Sequence, residues 1–314
     1  MSEKQIIWAR IEEEIIKHKI NIGVDKLKLC YAINDDNIIT HLEENKPNKF
    51  SLSEYCFLKR IDGKYHSDIY AIHIGENNGN NELKTIKFGE LRFNLKAEQE
   101  EIDKGAEKEK KVWIYVENKI LYTKNELHYL KKITEKLGLI LRNITEIEIY
   151  IDSTQRNISN KLKRMVRNKN YKIFLNGSEI KDREKYRVEL DYNHSGNLDR
   201  YTNMTFYAKS AKAIHKKLDG IIICSYDKAQ EIQYKSKKKY ILDFYKQPKK
   251  LYRTEIRTGN EKFKEYLITN KIELSELLFT NKGFLYKTFE WFFDKVIYFM
   301  DEENKKIDIK TMLL

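Results

Sequence analysis

The spacing of hydrophobic positions along this chain changes several times. Over residues 1–20, Ile7, Trp8, Ile11, Ile15 and Ile16 recur at helical spacing among acids and lysines, which predicts an amphipathic helix. From residue 21 onward the pattern shortens. Residues 24–33, 67–75, 84–95 and 111–123 are runs of β-branched and aromatic residues, and each predicts a strand. The stretch 75–82, with its glycines and asparagines, predicts a turn or hairpin tip. Residues 96–111 are polar and densely charged, which predicts an exposed loop or short helix. Helical spacing returns over 123–139, with Thr123 as its cap and Leu127, Leu130, Ile133 and Leu137 near one face.

The second half repeats the alternation. Over 143–154, Ile147, Ile149 and Ile151 alternate with Glu146, Glu148, Tyr150 and Asp152, so a strand here carries aliphatics on one face and carboxylates on the other. A basic helix is predicted over 158–170. Strand-like runs follow at 171–177, 186–193, 203–210, 220–232 and 251–259, with a Lys-rich interval at 235–250 that contains Pro248. Residues 261–300 read as helical and are dense in Phe, Leu and Trp. This order predicts an α+β fold: an antiparallel or mixed β-sheet packed with helices, plus a helical C-terminal segment. The expected organisation is an N-terminal helix over 1–20, an α+β region over 21–265 and a helical segment over 266–314. Within the middle region, 21–140 and 141–265 are candidate related subdomains.

Charge narrows the partner. The formal net charge is +12, yet 48 acids accompany 60 bases, so a positive face can coexist with carboxylates kept for local chemistry. Nucleic acid is the plainest polyanionic partner, because bound cations replace its condensed counterions. Biased coding is the alternative source of so much lysine. Cys30, Cys56 and Cys224 are far apart and odd in number, which argues against a zinc module or a disulfide scaffold and fits a reducing compartment. Early acids disfavour a secretory signal, and no run reaches the length of a membrane span, so a cytoplasmic protein without membrane association is expected. A P-loop is absent.

Candidate chemistry gathers late in the chain. Tyr226 to Glu231 reads Tyr-Asp-Lys-Ala-Gln-Glu, and an extended run would place Tyr226 and Lys228 on one face with Ile222 and Cys224. Upstream lies Phe206-Tyr207-Ala208-Lys209-Ser210. Downstream, alternation puts Arg253, Glu255 and Arg257 on one face of a strand. In order, these segments and the acidic strand Glu146–Asp152 resemble the rolling-circle replication initiators of plasmids and conjugative transposons, which are relaxase-like nicking proteins. The resemblance covers about residues 140–265.

That resemblance implies a relaxase-like α+β fold and a site-specific nick at a replication origin. A tyrosine would attack a phosphodiester and stay joined to the 5′ phosphate, with Mg²⁺ or Mn²⁺ polarising the phosphate. It also implies double-stranded origin DNA with a single-stranded or cruciform nick region, a host helicase and a DNA polymerase as partners. Tyr226 is the nucleophile it points to, with Tyr207 and Tyr252 as alternatives. Lys228 would stabilise phosphate charge and Glu231 would bind metal or move a proton. Equally, Tyr226 reads as a strand aromatic, Lys228 as a surface charge at a strand end and Glu231 as the partner of a lysine in the basic stretch that follows. Glu146, Glu148, Asp152 and Glu255 form the pool of hard oxygen ligands, or else an exposed sheet face balanced by Arg253 and Arg257. No His-hydrophobe-His pair exists, and His66, His73, His194 and His215 are isolated.

Arg164, Arg167, Lys209, Lys237, Lys238, Lys239, Arg253 and Arg257 are the candidate DNA contacts, with Tyr171, Tyr240 and Tyr245 as stacking partners for bases. The aromatic C-terminal helix suits either a homodimer interface or the monomer core. A noncatalytic sequence-specific DNA-binding accessory protein is the second reading, and an RNA-binding protein the third.

Overall fold

The computed structural model describes residues 3–35, 37–77, 83–95, 110–123, 126–181, 204–207, 220–309 and 311. In chain order the helices and strands are α1 (Glu3–Lys17), β1 (Ile20–Ile33), α2 (Asn37–Asn45), β2 (Lys49–Ser53), β3 (Cys56–Ile61), β4 (His66–Asn77), β5 (Leu83–Leu95) and β6 (Lys111–Val116). They continue with α3 (Tyr129–Lys136), β7 (Leu139–Ser153), α4 (Ile158–Arg167), β8 (Lys172–Leu175), β9 (Ser178–Glu179), β10 (Met204–Tyr207) and β11 (Ile221–Asp227). The last are α5 (Lys228–Glu231), α6 (Lys239–Phe244), β12 (Tyr252–Gly259), α7 (Asn260–Thr269), α8 (Lys282–Val296) and β13 (Ile297–Met300). The fold is α+β, a large sheet packed with helices and followed by a helical C-terminal region.

The chain divides into two compact units. Unit 1 holds Met1–Asp25, Ile147–Ile272 and Leu278–Leu314, and unit 2 holds Lys26–Glu146 with Glu273–Leu277. In unit 1 the strand order is β10-β11-β12-β7-β1, and a small second sheet runs β13-β8-β9. β11 pairs antiparallel with β10 and with β12, which sets Tyr226 opposite Arg253 and Cys224 opposite Glu255. One face of this sheet is aliphatic: Ile20, Ile22 and Val24, then Ile147, Ile149 and Ile151, with Ile223 and Ile256. Helix α4 adds Ile158, Leu162 and Met165 to the core, and α7 and α8 add Phe263, Phe284, Phe289, Phe292 and Phe293, all buried. Asn281 starts α8 by accepting the Phe284 amide at 2.8 Å, satisfying an otherwise orphaned donor. Gly283 lets α8 meet α1 at backbone distance, since a Cβ there would lie 2.2 Å from the Trp8 carbonyl oxygen. The aromatic helix thus spends its apolar surface inside unit 1.

In unit 2 the strands run β1-β6-β5-β4-β3-β2, each pair antiparallel. Leu27, Leu29, Leu58, Tyr70, Ile72, Phe88, Leu91, Val112 and Ile114 fill one face. Tyr70 fastens α2 to it by donating to the Leu42 carbonyl at 3.0 Å.

The strand of 111–123 stops at Val116, where a 3₁₀ turn (Asn118–Tyr122) takes over, and three further expectations change. The helix of 123–139 is shorter: Thr123 donates back to the Ile120 carbonyl after that 3₁₀ turn, a second 3₁₀ turn covers Glu126–His128, and α3 spans Tyr129–Lys136. The strand of 220–232 stops at Asp227, whose carboxylate accepts the Gln230 amide and opens α5, so Lys228 is helical. The 261–300 region ends in a strand, β13, paired with β8. The hairpin tip beyond Asn77, most of 96–111, the 186–193 run, Ala208 to Ser210, His194 and His215 lie outside the described residues.

Candidate metal and tyrosine site

The face of the unit 1 sheet opposite its aliphatic core carries the polar groups. Alternation in β12 sends Arg253, Glu255 and Arg257 to it, β7 sends Glu148, Tyr150 and Asp152, and β11 sends Tyr226. From β1 come Asn21 and Asp25, with Gly23 between them. A Cβ at Gly23 would sit 2.6 Å from the Tyr150 hydroxyl, so the glycine makes room for that ring.

Two arginines organise the carboxylates. Arg253 is fully buried and grips Asp152 with two bonds, Nε to Oδ1 at 2.8 Å and Nη2 to Oδ2 at 2.6 Å. Its Nη1 donates to Asp25 Oδ1 at 2.8 Å. The guanidinium also lies 4.1 Å from the centre of the Tyr150 ring. Arg257 approaches Glu148, Nε to Oε1 at 2.5 Å, an ionic contact rather than a well-directed hydrogen bond. Tyr245 donates to Asp152 Oδ2 at 2.7 Å and accepts from Asn21 Nδ2 at 2.7 Å.

Asp25, Glu148 and Glu255 each offer an oxygen, and all three lie within 4.8 Å of one another. Four carboxylates, counting Asp152, face two guanidiniums here, so carboxylates outnumber guanidiniums by two. A divalent cation carries that charge, and three hard oxygens suit Mg²⁺ or Mn²⁺. Burial and then the neighbouring Glu148 push the Glu255 carboxyl above its usual range.

Tyr226 joins this group through its oxygen. The phenol donates to Glu255 Oε2 at 2.8 Å, and Lys228 Nζ lies 3.4 Å from the same phenol oxygen. Lys228 is itself buried and paired with Glu231 at 3.0 Å. Burial, followed by the charge of Glu255, holds the Tyr226 phenol well above its ordinary range, so it rests protonated.

Of the four carboxylates expected as ligands, Glu148 and Glu255 are in the three-oxygen group. Asp152 is committed to Arg253 and Tyr245. Glu146 belongs to unit 2, where Lys26 and Lys28 bind it at 2.7 and 2.6 Å. Burial opposes its ionisation, but the two lysines outweigh it and hold the carboxyl low. The acidic face of β7 is therefore buried and paired, not exposed. Arg253 has no surface to offer a DNA backbone, whereas Arg164, Arg167, Lys237 and Lys239 are exposed. Lys238 and Arg257 are partly exposed, and Lys209 lies outside the described residues. Tyr252 pairs with Asp227 across the strands, and Tyr207 with Ile222.

Asp25 and Tyr245 are the members that sequence patterning does not single out. An aspartate inside a β-branched run is a poor strand former and is the one available signal for Asp25. Tyr245, expected as a stacking partner for bases, instead turns its hydroxyl inward to Asp152 and Asn21.

No family model and no curated protein matches the chain. Among solved structures, a rolling circle replication initiator protein from Geobacillus stearothermophilus is similar over 90% of this chain and 87% of that one, at 12% identity and a TM-score of 0.40. Among the described residues no helix is long and apolar enough to cross a membrane.

Proposed function

We propose that this chain is a metal-dependent DNA-nicking replication initiator in which Tyr226 is the nucleophile. The observation that carries the reading is the Tyr226 hydroxyl bonded at 2.8 Å to Glu255, itself one of three carboxylates grouped within 4.8 Å. Asp25, Glu148 and Glu255 would hold Mg²⁺ or Mn²⁺, which supplies a Lewis acid for a phosphate oxygen. The rest falls to side chains. Glu255 takes the Tyr226 proton as the phenol oxygen bonds to phosphorus. The bond from phosphorus to the 3′ oxygen breaks, that oxygen takes a proton from solvent, and the 5′ phosphate stays on Tyr226. Lys228 keeps a positive charge beside the phenol oxygen throughout. Arg253 positions Asp25 and Asp152.

A denaturing-gel assay for a protein–DNA adduct tests this. Wild type and Tyr226→Phe are incubated with supercoiled DNA carrying the gene's own flanking region, with Mn²⁺ or EDTA. A metal-dependent nick and adduct in wild type alone is the expected result. An active Tyr226→Phe protein would transfer the nucleophile to another tyrosine. Folded wild type that binds this DNA without nicking it overturns the enzymatic reading in favour of a noncatalytic DNA-binding accessory protein.

A further inference from the structure

Unit 2 carries a second polar sheet face, opposite its aliphatic core, that the nicking chemistry does not use. Two aromatic clusters stand on it. On β3 and β4, Phe57 lies directly across from His73, with the rings stacked 4.9 Å apart at 3°. Lys49 reaches over the Phe57 ring at 4.3 Å, and Lys87 is the cross-strand neighbour of His73. On β6, the Tyr115 ring is flanked by Lys28 Nζ at 4.9 Å and by the Arg92 guanidinium at 4.2 Å.

These groups are half-buried at their bases and open at their tips. Lys28, Lys87 and Arg92 expose 28%, 37% and 25% of their side chains, enough for the charged ends to reach solvent while the stems cover the sheet. Register joins the two clusters, because Lys59, Ala71, Glu90, Tyr115 and Lys28 form one continuous cross-strand row. The charge is lopsided. Glu90 is held by Lys87 and Arg92, Glu146 by Lys26 and Lys28, and Glu117 lies 3.8 Å from Lys87, so these acids are already answered. Lys49 and Lys59 add positive charge with no ion pair among the described residues.

A sheet face of planar rings and planar or flexible cations, open to solvent and net positive, matches one kind of ligand. Bases stack on exposed rings and on guanidinium planes, while phosphates take the ammonium groups between them. A duplex keeps its bases stacked inside and would use the cations alone. We infer that this face of unit 2 binds single-stranded DNA, with bases on the Phe57–His73 and Tyr115–Arg92 stacks and the backbone along Lys28, Lys49, Lys59 and Lys87. Binding exchanges the Lys49 and Arg92 cation–π contacts for base stacking, while Lys28 and Lys87 meet phosphate from the ion pairs they make with Glu146 and Glu90. The inference goes beyond the nicking reading and stands or falls apart from it.

The test is fluorescence anisotropy of a labelled mixed-sequence single strand with the full chain, across a salt series. Two variants are compared: Phe57→Leu/Tyr115→Leu and Lys49→Gln/Lys59→Gln/Lys87→Gln. Leucine keeps apolar volume on the sheet and removes the ring face, and unchanged thermal melts certify the fold. The ring variant is expected to bind the single strand about fivefold or more weakly for each stack removed and to leave duplex affinity unchanged. The lysine variant is expected to flatten the salt dependence by about 0.7 for each phosphate that is no longer neutralised. Folded ring and lysine variants that bind the single strand as wild type does overturn the inference. So does a ring variant that weakens duplex and single strand equally.

Discussion

Replacing Arg253 with methionine is the sharpest perturbation of the proposed site. Arg253 is completely enclosed, and it makes two charge-assisted bonds to Asp152 and one to Asp25. Methionine has a similar length and leaves the aliphatic part of the packing in place. What it removes is a guanidinium shared by two buried carboxylates, with Glu148 and Glu255 close to one of them. Breaking a buried pair by deleting one partner costs about 3–5 kcal/mol, because the other charge is left uncompensated. Here two charges are left, so the upper end of that range is expected. Against a typical domain stability of about 5–15 kcal/mol this is a large loss. The three tryptophans allow unit 1 to be watched by itself, since Trp8 and Trp291 lie in it and Trp113 lies in unit 2. In a Trp113→Phe background, urea unfolding followed by fluorescence reports unit 1. The double variant Arg253→Met/Asp152→Asn removes one stranded carboxylate and should recover about 1–2 kcal/mol of the loss. If Arg253→Met costs less than about 1 kcal/mol, or if the second substitution deepens the loss, the carboxylates are not held as charges by Arg253 and the proposed charge balance of the site fails.

Two further predictions probe other links. Glu255 has its carboxyl raised by burial and by Glu148, so the folded state holds that proton more tightly than the unfolded chain does. Stability from this group is present below the unfolded value and is lost as pH rises toward and through the raised folded value. Glu255→Gln should therefore match wild type at about pH 4 and exceed it at about pH 8, with added Mn²⁺ closing the gap by stabilising only wild type; equal pH dependence of the two proteins in urea melts would refute the assignment. Gly283→Val should destabilise unit 1 by about 1–3 kcal/mol or more, since even a Cβ would meet the Trp8 backbone at 2.2 Å, and an unchanged melting temperature would show that α1 does not depend on that close approach.

Much of this architecture is legible in the sequence because burial is asymmetric across each strand. Ile147, Ile149 and Ile151 announce β7 and its aliphatic face, and Arg253, Glu255 and Arg257 announce their shared side of β12. What alternation cannot supply is the strand order. Tyr226 and Glu255 are 29 residues apart and meet because β11 and β12 are neighbours. Asp25 joins from β1, more than a hundred residues earlier, through a pairing that no local pattern encodes. The end of β11 departs from the alternation for a different reason. Lys228 continues the period of two, but Asp227 is also an N-cap, and capping overrides the strand pattern. The Phe57 and Tyr115 clusters are hidden as Asp25 is, since each is assembled by register between strands.

The cost of the unit 1 cluster bears on its purpose. Five buried charged groups, with Arg257 at their edge, gain little over well-packed apolar residues of the same volume, because desolvation consumes most of the attraction. Packing alone gives no reason to keep Asp25, Glu148, Asp152 and Glu255 on a face that could have been aliphatic, as the opposite face is. The two arginines also do not complete the balance, and the Glu255 carboxyl is raised first by burial and then by the charge of Glu148. In the proposed reading Glu255 would share in holding a dication, and it is already bonded to the phenol whose proton it would take. Tyr226 follows the same logic. Its burial keeps it neutral and unreactive at rest, and ionisation becomes favourable only when positive charge is brought to its side of the sheet. Lys228 brings part of that charge, and a metal at the three carboxylates would bring the rest.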